Sequence, residues 1–230
     1  MGVSAIVFDL DGTLVDFCLN YQSLRAEVRS FLMNLGVPSS VLSLKENIFE
    51  MLRKTEIFLK NTGKSTEEIE DVHHEAFAIA ERYELDAAVR TELSSGAIET
   101  LKTLKQMGLK MGICTTNSEK SARYILNRFR ISEFFDVVVT RNGVKQVKPN
   151  PEHLEVALKA LNVVPEESVL IGDSGTDMLC AMELKAIAVG LSTGVSTIEH
   201  LKSTGANYIV TSITDLPVLV EKIRRNQLIK

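Results

Sequence analysis

Asp9 and Asp11 lie one residue apart directly after the apolar run Ala5, Ile6, Val7 and Phe8, with Gly12 and Thr13 completing the segment D-L-D-G-T. Two neighbouring carboxylates at the end of a hydrophobic strand repel each other, and burying them without a partner is costly. A divalent cation, a lysine or both must therefore accompany them if the segment is more than a surface turn. The sequence offers such partners at three later places: Thr115 after Lys110 to Cys114, Lys148 within a polar loop, and Asp173 and Asp177 after Val169 to Ile171. Each follows, directly or after a short loop, a short apolar run of the kind that forms a strand buried on both faces of a parallel sheet. In open parallel sheets the ligand site lies beyond the carboxyl ends of the strands. Reading only those ends brings Asp9, Asp11, Thr115, Lys148, Asp173 and Asp177 into one expected site.

These residue types suit the cleavage of a phosphate ester. Uncatalysed hydrolysis of a phosphate monoester is extremely slow, so positioning and charge neutralisation must supply a very large effect. Asp9 is the expected nucleophile, forming an aspartyl-phosphate that divides one difficult step into two. Magnesium held by Asp9 and Asp173 removes the repulsion between a carboxylate and an anionic phosphoryl group. Lys148 adds a compact positive charge, and the Thr115 hydroxyl bonds phosphoryl oxygens. Asp11 protonates the leaving alcohol and later activates water. Thr13, Thr116 and Asn117 are expected neighbours of the phosphate. Asp177 is expected in the metal site behind the direct ligands or through water, because Ser174, Gly175 and Thr176 carry the chain from Asp173 into a helix.

The elements that position these residues follow from periodicity. From Asp16 to about residue 93 the spacing is helical. Leu24, Val28, Phe31, Leu32 and Leu35 form one stripe, closed by Gly36 and Pro38; Val41, Leu44, Ile48, Leu52, Thr55 and Leu59 form a second; Ile69, Val72, Ala76, Ala80 and Tyr83 form a third, opened by Thr66 and two glutamates. A short fourth helix is expected near Asp86 to Leu93. From Ser94 onward helices and strands alternate, as in a parallel α/β sheet. Strands are expected at Lys110 to Cys114, Val137 to Val139, Val169 to Ile171, Ile187 to Val189 and Tyr208 to Val210. Asn150 and Pro151 open a helix before Leu154, Ala157, Leu158 and Leu161, and Asp215 caps a final helix. The expected fold is α/β, a Rossmann-like parallel sheet core with helices on both faces at 1–15 and 94–230, and an inserted all-helical domain at 16–93.

Four motifs carry a family resemblance: D-L-D-G-T at Asp9 to Thr13, the strand-terminal Thr115, K-P-N-P at Lys148 to Pro151, and G-D-S-G-T-D at Gly172 to Asp177. Together, in this order, they resemble the haloacid dehalogenase superfamily of phosphohydrolases over the whole chain, and the helical insertion is similar to that family's cap domain. The resemblance implies a cap that closes over the site, with substrate selection partly at the loop Gly36 to Ser40. It also implies that Asp11 reaches magnesium through its backbone carbonyl, leaving its side chain free for proton transfer. A second Asp at this position is absent from the dehalogenases with an aspartate nucleophile, so a magnesium-dependent phosphatase similar to the phosphoglycolate phosphatases is favoured. A phosphomutase similar to the β-phosphoglucomutases would use the same motifs, and a non-catalytic binding module on the same fold is the remaining alternative.

Composition limits the partners. A formal net charge of −4 provides no basic surface for nucleic acid or acidic membrane. No apolar run approaches a membrane span, and no signal peptide is evident, so a cytoplasmic location is expected. Cys18, Cys114 and Cys180 lack metal-ligand or disulfide spacing, and Cys114 is expected to point into the core, away from Thr115. His73, His74, His153 and His200 form no ligand pair and are expected to be locally bonded or solvent-facing. Arg25, Arg29, Lys45 and Arg53 could reach a substrate's anionic tail, but are expected on solvated helix faces. A small phosphate ester is the expected partner, and the chain is expected to be a monomer or homodimer.

Overall fold

The structure, a computed structural model, describes residues 2–228. In chain order the regular elements are β1 (Ala5–Phe8), α1 (Tyr21–Asn34), α2 (Ile48–Asn61), α3 (Thr66–Arg90), α4 (Ala97–Gln106), β2 (Lys110–Cys114), α5 (Glu119–Arg128), β3 (Val137–Val139), α6 (Glu152–Leu161), β4 (Ser168–Gly172), α7 (Gly175–Glu183), β5 (Ile187–Leu191), α8 (Ile198–Ser203), β6 (Tyr208–Val210) and α9 (Leu216–Leu228). The chain divides into two compact units. One comprises residues up to Cys18 and from Arg90 onward, and the other is Leu19–Val89.

The first unit is built on a six-stranded sheet in the order β3-β2-β1-β4-β5-β6, with every pairing parallel. The chain runs outward from β1 to β3 and then returns to the other side of β1 as β4. This reversal leaves a crevice at the carboxyl ends of β1 and β4. Register brings the functional segments level, since Phe8 pairs with Ile113 of β2 and with Ile171 of β4. Asp9, Cys114 with Thr115, and Gly172 with Asp173 therefore emerge along one edge. On one face, Ala5 and Val7 join Cys114, Val139 and Leu170 beneath Leu154, Ala157, Leu158 and Leu161 of α6 and Met178, Cys180 and Ala181 of α7. Alternation sends Ile6, Phe8, Met111 and Ile113 to the opposite face, where they are equally buried. The expected Rossmann-like α/β core is present, and Cys114 packs into it as expected.

The second unit is entirely helical. Leu24, Val28 and Leu32 of α1 meet Met51 and Leu52 of α2 and Ala76 and Ala80 of α3 in a core of its own. Two details differ from the sequence expectation. The second helix starts at Ile48 rather than near Val41, because the Asn47 side chain accepts the Glu50 N–H at 2.9 Å and caps it there. The preceding residues form turns that bury Leu42 and expose Leu44. No separate helix begins at Asp86. The third helix runs unbroken from Thr66 to Arg90, with no Gly or Pro to interrupt it. A further helix, α8, is not expected from the sequence, because it buries only Leu201 and so has no stripe to reveal it; the Thr197 hydroxyl caps it by accepting the His200 N–H at 3.2 Å.

Candidate active site

Asp9 leaves β1 with its N–H bonded to the Ile171 carbonyl at 2.8 Å, which locks the start of the D-L-D-G-T segment to β4. Its Oδ1 lies 2.8 Å from Lys148 Nζ, and the same ammonium lies 2.6 Å from Asp177 Oδ1. Asp9, Asp173 and Asp177 each offer a carboxylate oxygen, and these oxygens lie within 4.8 Å of one another. Two carboxylates thus share one buried ammonium, and the third, Asp173, lies beside them. Burial, with Asp177 adding repulsion and Lys148 opposing both, pushes the Asp9 carboxyl up to about 6. Burial, Asp9 and Asp177 push Asp173 up to about 8. Burial disfavours the Lys148 ammonium, but the flanking carboxylates prevail and raise its pKa well above the ordinary value.

The donor set fits a hard divalent cation. It consists of oxygens, it carries an excess of negative charge, and Asp9 and Asp173 are raised in a way that a bound cation would reverse. Asp177 is differently engaged. Its Oδ1 takes Lys148, and its Oδ2 accepts both the N–H and the hydroxyl of Ser174 in a capping box at the start of α7. Asp173 is held from the opposite side, where Oδ2 accepts the Val195 N–H at 2.7 Å. The loop after β5 that supplies this donor also ties back to the first motif, because the Thr193 hydroxyl donates to the Gly12 carbonyl at 3.1 Å. Space is short there, and a Cβ on either Gly12 or Gly194 would overlap the Asp173 carboxylate. Gly12 also has a φ of +76°, a conformation that favours glycine.

Asp11 faces the second motif. Asn117 Nδ2 donates to Asp11 Oδ2 at 2.6 Å, and the Asn117 N–H donates to Thr115 Oγ1 at 3.2 Å. Buried Arg141 secures that loop by donating from Nη1 to the Thr116 carbonyl at 3.1 Å and from its backbone N–H to the Asn117 carbonyl at 3.2 Å. Thr13 is fully buried, its Oγ1 makes no hydrogen bond, and its carbonyl accepts the Ser94 hydroxyl at 2.9 Å. Asp9, Lys148, Asp173 and Asp177 therefore meet directly. Asp11, Thr115 and Asn117 form an adjoining chain of hydrogen bonds, which Arg141 ties to Thr116. Ser174, Arg141 and the Thr193–Val195 loop are parts of the site that were not expected from the sequence. Only Ser174 carried a legible signal, the S-x-x-D spacing of a capping box.

A model of the haloacid dehalogenase-like hydrolases matches residues 6–190 of this chain. The chain belongs to that family. A pyrophosphatase, PpaX, of Bacillus mycoides strain KBAB4 is 28% identical over 232 residues, covering 97% of this chain and 99% of the relative. A hydrolase of solved structure from Pseudomonas syringae superposes with a TM-score of 0.70 at 28% identity, over 96% of this chain and 99% of that one. A predicted phosphoglycolate phosphatase from Haemophilus somnus 129PT shares the fold at a TM-score of 0.63 and 21% identity, over 94% of this chain and 97% of that one. The chain is thus an enzyme of the hydrolase class, as its motifs predict. No helix among the described residues is long and apolar enough to cross a membrane.

Proposed function

We propose that this hydrolase is a magnesium-dependent phosphatase that transfers the phosphoryl group of a small phosphorylated metabolite to Asp9 and then to water. One observation carries the reading: the Asp9, Asp173 and Asp177 oxygens converge within 4.8 Å, with Lys148 Nζ against Asp9 and Asp177, at the carboxyl edge of the sheet. Asp9, raised to about 6, remains mostly ionised at neutral pH and can attack phosphorus. The bond from phosphorus to the leaving oxygen breaks, and Asp11 supplies the proton to that oxygen. Asp11 then takes a proton from the incoming water, whose oxygen attacks phosphorus and releases inorganic phosphate and the Asp9 carboxylate. Asp9, Asp173 and the Asp11 carbonyl would hold magnesium, which when bound would neutralise charge between nucleophile and phosphoryl group. Lys148 adds fixed positive charge, and the Thr115 hydroxyl orients phosphoryl oxygens. Asp177, with both oxygens already bonded to the protein, holds Lys148 in place rather than binding metal directly.

The names of the relatives extend the candidate substrates to pyrophosphate alongside phosphate esters such as phosphoglycolate. A panel of both kinds, assayed with magnesium for wild type and Asp9→Asn, tests the proposal. Release of phosphate by wild type and its abolition in Asp9→Asn are expected. Equal turnover by Asp9→Asn, or isomerisation of a sugar phosphate without phosphate release, would overturn it, the latter in favour of a mutase.

A further inference from the structure

His153 is fully buried in α6 and touches no reacting group, yet its ring joins two segments of the site. The Lys148 N–H donates to His153 Nδ1 at 3.3 Å, and His153 Nε2 donates to the Val139 carbonyl oxygen at 3.3 Å. That same carbonyl, at the end of β3, accepts the Thr115 N–H at 3.0 Å. One line of hydrogen bonds therefore runs from Thr115 through the Val139 carbonyl and the imidazole to the backbone of Lys148. A ring that accepts at Nδ1 and donates at Nε2 is neutral, and burial together with the nearby Lys148 charge lowers its pKa to about 3. The arrangement is thereby compatible with an ammonium beside it over the physiological range.

We propose that His153 is a positioning residue, setting the Lys148 backbone and the Thr115 backbone against one shared carbonyl so that the ammonium reaches Asp9 at the correct spacing from the Thr115 hydroxyl. The inference rests on the proposed roles of Lys148 and Thr115. Its physical basis is the long, flexible lysine stem: an ammonium 2.8 Å from Asp9 and 2.6 Å from Asp177 is specified only if the backbone from which it springs is itself held. Residues 144–151, which carry Lys148 between the turn at Arg141–Gly143 and α6, contain no regular element that could hold it. Arg141, two residues beyond Val139, performs the corresponding service for the Thr115–Asn117 loop. The end of β3 is thus the common anchor of both segments.

The test separates hydrogen bonding from space filling. His153→Asn retains an acceptor near the Nδ1 position, His153→Gln retains a donor near the Nε2 position, and His153→Leu retains only volume. Competitive inhibition by inorganic phosphate, measured with magnesium, reports on Lys148, and melting temperature reports on packing. Each variant breaks the bridge at one end or at both, so the inhibition constant is expected to rise about tenfold in His153→Leu, His153→Asn and His153→Gln alike. Melting temperatures are not expected to fall in proportion. Wild-type inhibition in a folded His153→Leu, or in either His153→Asn or His153→Gln, would overturn the inference, and the Asn and Gln pair decides it if His153→Leu does not fold. Lys148→Met is the control. Undiminished phosphate inhibition there overturns the reading of Lys148 and the inference with it, whereas lost inhibition there with an unmoved His153 series overturns the inference alone.

Discussion

The Lys148 side chain is 2% exposed and lies between two carboxylates, with a third, Asp173, within reach of both. Removing one member of a buried ion pair costs about 3–5 kcal/mol, because the charge left behind is uncompensated. Lys148→Met in metal-free buffer should lose stability of that order at neutral pH. The loss should shrink as pH falls, since the unpaired carboxylates can then protonate; thermal melts between pH 5 and 8 check this, and a loss independent of pH would contradict it. Asp11 makes a different kind of prediction. Its proton matters most when the leaving oxygen is strongly basic, so Asp11→Asn should slow phosphoenzyme formation from an alkyl phosphate by about 10²–10⁴. Pyrophosphate or an aryl phosphate has a weakly basic leaving group and should be affected much less. Single-turnover quench measurements with both kinds of substrate distinguish the cases, and equal losses would remove Asp11 from the acid role.

Among the elements, the loop between β5 and α8 has the least support in the sequence and a close grip on the site. Ser192–Thr197 reads as an ordinary polar turn, yet its Val195 N–H holds Asp173 and its Thr193 hydroxyl holds the Gly12 carbonyl. Gly194→Ala would place a methyl group in the volume of the Asp173 carboxylate. It should weaken magnesium binding about tenfold, by displacing the backbone that orients a ligand. Isothermal titration of magnesium into the variant and wild type measures this, and unchanged affinity would show that the loop is incidental. The six strands, by contrast, were legible almost residue by residue. Their apolar runs are short and β-branched, and each is bounded by polar or glycine-containing segments, so local composition and burial agree. Helix starts were less legible, because an Asn47 cap overrode an apolar stripe that could have begun at Val41.

For the whole molecule, Asp9 and Asp173 couple stability to pH and to metal. Asp9 at about 6 and Asp173 at about 8 both lie above the ordinary carboxylate value near 3.9, so in the metal-free folded protein these two groups bind more protons than in the unfolded chain between those limits. The contribution of these two groups to stability should therefore fall as pH rises from about 4 to about 8, opposed below about 6.5 by buried His153, whose lowered pKa of about 3 makes its own contribution rise with pH there. A cation that binds only the folded, ionised site adds about 2.7 kcal/mol at a hundred times its Kd. The gap in melting temperature between magnesium and EDTA should accordingly be wider at pH 8.5 than at pH 6, and a gap that narrows would contradict a site built from Asp9 and Asp173. The sequence alone determined the parallel sheet, the helical insertion and the four segments that carry the chemistry, because strand periodicity and strand-end placement are local properties of the chain. It also singled out Asp9, Asp11, Thr115, Lys148, Asp173 and Asp177 as candidates by residue type. Only the tertiary structure decided how they are arranged. The parallel register brings Asp9 and Asp173 to one edge, the Ser174 cap occupies Asp177, and the β5 loop grips Asp173. His153, which in sequence is one more residue of an apolar helix, joins Lys148 to Val139. These are contacts between residues far apart in the chain, and nothing in local spacing encodes which hydrogen bond a buried side chain will find.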